Sequence, residues 1–84
     1  MNYSVFVEVS LRHGIADPQG ATIERALPAL GFSGVSDVRS GKAFRLSVQA
    51  ESESAALDTA RSLAERLLSN PVIEESHVRL EPLS

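Results

Sequence analysis

Eighty-four residues, 43% of them apolar and none of them cysteine, make one folded domain that relies on neither disulfides nor thiolate metal ligands. The formal charge of −3 and pI near 5.2 oppose a purely electrostatic attraction to nucleic acid or to an anionic membrane. No apolar run approaches the roughly 20 residues that span a bilayer, and Met1 to Glu8 lack the basic flank and unbroken apolar segment of a signal peptide. A single cytoplasmic domain over residues 1–84 is the expectation.

Tyr3, Val5, Val7, Val9 and Leu11 alternate with Ser4, Phe6, Glu8, Ser10 and Arg12, which predicts a strand with one buried face and Phe6 alone as an apolar outlier. The stretch Leu11 to Gly20 then ends the strand, turns and opens a helix. Asp17 is a good N-cap, since its carboxylate accepts from free N–H groups of the first turn. Pro18 fits the first helical position, and Gln19 can add a hydrogen bond there. Gly20 is anomalous, because glycine in a helix costs roughly 1 kcal/mol relative to alanine; close packing or an approaching partner would account for it. Ile23, Ala26, Leu27 and Leu30 form one helical stripe, Gly31 is a C-terminal stop, and Phe32 can fold back onto the last turn. Pro28 removes a hydrogen bond to the Glu24 carbonyl, so a kink or early tightening is expected between Glu24 and Pro28.

Val35 to Ser40 and Ala43 to Ala50 read as two strands of a hairpin turning at Ser40-Gly41-Lys42. Phe44, Leu46, Val48 and Ala50 share one face; Arg45, Ser47 and Gln49 share the other. Ser52 or Ser54 caps a second helix with Glu51 and Glu53 at its positive end. Its apolar face is Ala56, Leu57, Ala60, Leu63, Ala64, Leu67 and Leu68, and Asn70-Pro71 ends it. Ser76 to Glu81 is a short strand with Val78 and Leu80 inward. The order strand, helix, strand, strand, helix, strand predicts an α+β fold, a ferredoxin-like split β-α-β sandwich. It has a four-stranded antiparallel sheet with two helices on one face. The other face, with Ser4, Phe6, Glu8, Asp37, Arg39, Arg45, Ser47, Gln49, His77 and Arg79, is open to a partner.

Catalysis requires a positioned acid, base, nucleophile or metal, and these residues form no such set. The serines occupy no nucleophile-elbow pattern. Asp17, Glu8 and Asp37 read as a cap and two surface acids, and His13 and His77 stand apart in a loop and on an outer strand face. Ser40-Gly41-Lys42 lacks the glycine-rich lead-in of a phosphate loop and precedes a strand. Arg39, Arg45 and Arg79 on an open sheet invite an RNA reading, but the stacking aromatics such sheets present are missing: Phe44 points inward and only Phe6 is left. No catalytic residue, cofactor or metal is therefore expected.

Four motifs occur in order: Asp17-Pro18-Gln19-Gly20, Leu30-Gly31-Phe32, Val38-Arg39-Ser40-Gly41-Lys42, and Leu67-Leu68-Ser69-Asn70-Pro71-Val72-Ile73-Glu74. In that order and spacing the whole chain resembles PurS, the small-subunit family of phosphoribosylformylglycinamidine synthase. Pro28, and Ser69 where alanine is more usual, depart from the family pattern. The resemblance implies a non-catalytic but required subunit of a ligase complex in purine biosynthesis. That complex converts formylglycinamide ribonucleotide, ATP and glutamine to formylglycinamidine ribonucleotide. It implies a homodimer, with a tetramer as the other open assembly, bridging a synthetase subunit (PurL) and a glutaminase subunit (PurQ). It also makes Asp17, Pro18, Gln19, Gly20, Arg39, Gly41, Lys42, Asn70, Pro71 and Glu74 candidates for partner contact. A reading of another class stays open: an ACT-like regulatory module, which binds an amino acid beside its first helix through an aspartate and a following glycine, here Asp17 and Gly20.

Overall fold

The period-two run near the N-terminus becomes the centre of the sheet. In a computed structural model describing residues 1–81, β1 (Asn2–Leu11) pairs antiparallel with β2 (Gly41–Gln49) on one side. On its other side it pairs with β3 (Glu74–Leu80). The sheet is three-stranded, in the order β2-β1-β3. Val7 faces Phe44 on one neighbour and Val78 on the other, so the inward residues of all three strands fall in rows. Val5, Val7 and Val9, flanked by strands on both sides, are fully buried.

One helix covers this face. α2 (Glu53–Leu63), capped by the Ser52 hydroxyl accepting from the Ala55 N–H at 3.1 Å, packs on β3 and β1 and least on β2. Ala56, Ala60 and Ala64 recur every fourth residue and are completely buried. With no side chain beyond Cβ there, the helix backbone settles directly on the valines of β1. Residues Ala64–Leu68 then widen into a π turn, closed by the Ser69 N–H and hydroxyl, both donating to the Ala64 carbonyl at 2.9 and 2.8 Å. The wider turn changes the helical phase: Leu68 packs against the core, while Leu67, expected inside, is 74% exposed.

The expected four-stranded sheet does not form. Residues 35–40, read as a strand, make no ladder because other groups take their backbone. The Val38 N–H donates to Glu24 Oε1 at 3.0 Å and the Ser40 N–H to Asp17 Oδ2 at 2.6 Å. Asp37 adopts φ +58° and Gly34 φ +78°, both incompatible with an extended strand. Nor do Ser40-Gly41-Lys42 turn a hairpin. Gly41 and Lys42 open β2 opposite Ser10 and Val9, and a Cβ on Gly41 would stand 2.7 Å from the Val9 carbonyl oxygen.

The two-helices-on-one-face arrangement also fails. α1 (Pro18–Ala26) ends early, as Pro28 requires, and passes into a 3-10 turn (Pro28–Leu30). The Leu27 N–H bonds to Glu24 at 3.3 Å, and Gly31 (φ +89°) closes the turn. This arm packs mainly on itself and leaves the expected core stripe uncovered. The radius of gyration is 16.2 Å, against about 12 Å for a compact chain of this length. The slab measures 51 × 33 × 14 Å.

Candidate functional site: a clasped end of the sheet

At one end of the sheet, the end of β1 and the starts of β2 and β3 meet the base of α1. Asp17 organises this corner. Its side chain, 5% exposed, accepts from the Gly20 N–H (2.9 Å), the Ser40 N–H (2.6 Å) and the Ser40 hydroxyl (2.8 Å), with the Arg39 guanidinium 4.0 Å away. The two N–H donors and the hydroxyl hold the carboxyl below its ordinary range; burial opposes them and Arg39 adds a little. One residue thus caps α1 and anchors the segment entering β2. Gly20 is the buried residue of α1, and a Cβ there would collide with the Val38 carbonyl oxygen and lie 2.7 Å from Asp17 Oδ2. Close packing is why this helix begins with glycine.

Asp17, Pro18, Gln19, Gly41, Lys42 and Glu74 line one open groove together with Val9, Ser10, Leu11 and Ser40. Lys42 Nζ lies 3.6 Å from Glu74 Oε2, and Glu74 Oε1 accepts from the Asn70 N–H at 2.7 Å. Asn70 Oδ1 accepts from the Val72 N–H (3.1 Å), and the Pro71 carbonyl from Arg12 Nε (2.9 Å). Arg39 reaches across to the Ile15 carbonyl at 3.5 Å. The ten sequence candidates therefore gather at one corner: six in the groove, Gly20 and Arg39 at the clasp, Asn70 and Pro71 in the loop that sets Glu74. Three participants were missed. Ser40 sat inside a quoted motif and Arg12 within the first strand's alternation. Glu24 carried no signal, since its partner is a backbone N–H of a segment expected to be a strand.

The Asp17 carboxylate is 5% exposed and already accepts three hydrogen bonds from the protein, which weighs against its use on an amino-acid ligand in the ACT-like reading. On the outer sheet face Phe6 lies beneath two guanidiniums, Arg79 at 4.4 Å and Arg45 at 5.1 Å from its ring centre. Each arginine is also tied to a carboxylate, Glu8 at 2.6 Å and Glu81 at 2.8 Å. This arrangement is charge-balanced. No helix of the described residues is long and apolar enough to cross a membrane.

The PurS family profile, described as phosphoribosylformylglycinamidine (FGAM) synthase, matches residues 4–82. Among curated relatives, a Mycobacterium leprae synthase subunit PurS is 46% identical over 69 residues, covering 82% of this chain and 84% of its own. A Methanocaldococcus jannaschii PurS is 32% identical over 81 residues, covering 96% and 98%. Among solved structures, a chain of PurLQS from Thermotoga maritima superposes with TM-score 0.89 at 36% identity, covering 96% of this chain and 99% of that one. These neighbours share the three-stranded fold described above, so it is the four-stranded expectation that was mistaken and not the kinship. With the match spanning nearly the whole chain, the protein belongs to the PurS family.

Proposed function

We propose that residues 1–84 act as one adaptor domain, a non-catalytic subunit of phosphoribosylformylglycinamidine synthase in the cytoplasm. It bridges the synthetase (PurL) and glutaminase (PurQ) subunits as a homodimer, so that ammonia released from glutamine reaches formylglycinamide ribonucleotide and ATP. The observation that carries this is the likeness, across 96% of this chain, to a chain of the PurLQS assembly. The form of the corner agrees with it. A bridge between two active sites must hold its partners in register, and that calls for a stiff scaffold with its polar groups committed internally. The Asp17 clasp and the Asn70–Glu74 loop supply that stiffness.

The partner-contact role falls to the groove and its rim: Asp17, Pro18, Gln19, Gly20, Arg39, Gly41, Lys42, Asn70, Pro71 and Glu74. Arg39 and Lys42, each about half exposed, offer the cations at its rim. The test is co-elution of this protein with the synthetase and glutaminase of its own organism. Wild type is expected to co-elute with both, and Arg39→Glu/Lys42→Glu to lose one of them while keeping its circular dichroism. Undiminished co-elution of that variant would remove the corner from the interface.

A further inference from the structure

The motif at residues 67–74 contributes Asn70, Pro71 and Glu74 to the corner, but its apolar members stand in water: Leu67 is 74%, Val72 82% and Ile73 37% exposed. Single apolar side chains on a surface need no explanation. These differ in being held there. Leu67 is turned out by the π turn, which the N–H and hydroxyl of Ser69 close on the Ala64 carbonyl; π turns of this kind gather at functional sites. Val72 stands on a loop whose backbone is closely tied. The Asn70 N–H donates to Glu74 Oε1 (2.7 Å), and the Asn70 carbonyl accepts from the Ile73 and Glu74 N–H groups (3.1 and 2.7 Å). The Val72 N–H donates to Asn70 Oδ1 (3.1 Å). Arg12 fastens the loop to β1, its Nε donating to the Pro71 carbonyl at 2.9 Å and its N–H to the Ile73 carbonyl at 2.8 Å. Ordering such a loop costs entropy that Val72, left wet, does not offset within this chain. The offset lies in a complex, where an anchor already in place loses little freedom on binding.

We propose that Leu67 and Val72 are an apolar anchor: they insert into an apolar socket bordered by carboxylates, on the same subunit that grips the corner groove. This deepens the adaptor reading and rests on it. Size decides against a separate partner. At ~60–120 Å² of apolar surface per fully exposed aliphatic side chain, Leu67, Val72 and Ile73 together offer roughly 200 Å². A stable interface takes about 800 Å² from each side, so this patch cannot hold a protein alone but has the dimensions of a hot spot within a wider contact. Continuity supplies that contact. Glu74 lines the groove and holds Asn70 through Oε1, so groove and loop share a wall. Charge defines the socket's border. Arg66 precedes Leu67 and makes no ion pair among the described residues, and Arg12 lies beneath Pro71. Of the neighbouring acids, Glu74 has both oxygens engaged, Glu75 lies beside His77 on the outer face, and Glu65 is about half a helical turn from Leu67. The margin is cationic on a chain of net charge −3. A second copy docking loop to loop would set this margin against itself.

The test titrates the full chain into fixed amounts of its cognate synthetase and glutaminase, with formylglycinamide ribonucleotide, ATP and glutamine, and reads the half-saturating concentration. Leu67→Ser and Val72→Ser, measured singly, should each raise it about tenfold or more. Neither side chain belongs to the core, so Tm, elution mass and the ammonia-dependent rate should stay as in wild type. Arg12→Ala, which frees the loop but keeps Val72, should raise the half-saturating concentration as well; Glu65→Ser, on the other flank of the turn, should not. On co-elution the double serine variant should lose the same subunit that Arg39→Glu/Lys42→Glu loses. An unchanged half-saturating concentration for both serine variants, a fall in elution mass that marks a contact between copies of this chain, or loss of the other subunit each overturns the anchor. The two readings fail separately. A wild type that does not stimulate the glutamine-dependent reaction overturns the adaptor and the anchor with it, whereas stimulation indifferent to both serine variants overturns the anchor alone.

Discussion

Gly20→Ala sets two effects of opposite sign against each other. Helix propensity alone favours alanine by about 1 kcal/mol at this position. The backbone at Gly20 is ordinary helix, so no strain enters and only space decides. The added methyl would collide with the Val38 carbonyl oxygen and sit 2.7 Å from Asp17 Oδ2. Neither neighbour yields easily: the Val38 N–H is bonded to Glu24, and the Asp17 carboxylate is held by Gly20 and Ser40. Overpacking of this kind costs about 1–3 kcal/mol, and relief here means breaking the clasp as well. A net loss of about 2 kcal/mol is expected, which lowers Tm by about 10 °C in a domain of this size. The assay is paired thermal and urea denaturation of wild type and variant at equal protein concentration. A Tm that is unchanged or higher would show that the clasp gives way freely, and the rigid-corner argument would fall with it.

The remaining expectations are smaller tests of separate parts. Asp17 is more acidic folded than unfolded, so its stabilisation is full above the ordinary carboxylate range near 3.8 and is lost as pH falls through the lower folded value. Urea midpoints between pH 6 and 2.5 should therefore fall more steeply for wild type than for Asp17→Asn; parallel curves would contradict the assignment. Ala60→Leu places a large side chain where the helix touches the β1 valines and should cost about 1–3 kcal/mol by urea denaturation. Lys42→Ala removes an exposed ion pair to Glu74 and should change stability by no more than about 0.5 kcal/mol.

What could be read in the sequence was what local chemistry decides. The alternation of Tyr3 to Leu11 and the fourfold spacing of Ala56, Ala60 and Ala64 fixed β1 and α2, and Asp17-Pro18 marked the start of α1. Gly20, wrong for a helix, signalled either close packing or an approaching partner, and Pro28 foretold the tightening. Two errors share a cause in tertiary competition. Val35 to Ser40 has strand-like composition, yet Glu24 and Asp17 claim its N–H groups from another element. Ile23 and Leu30 carry a genuine apolar stripe, but amphipathicity alone does not place a helix face in the core of its own chain. The π turn that rotates Leu67 outward leaves no mark in the residue spacing.

The most direct measurement of the central claim is formation of formylglycinamidine ribonucleotide by the cognate synthetase and glutaminase, with and without this protein, supplied with either glutamine or free ammonia. The adaptor account requires glutamine-dependent product only when the protein is added, and an ammonia-dependent rate that barely changes. Equal glutamine-dependent rates with and without it would contradict the account.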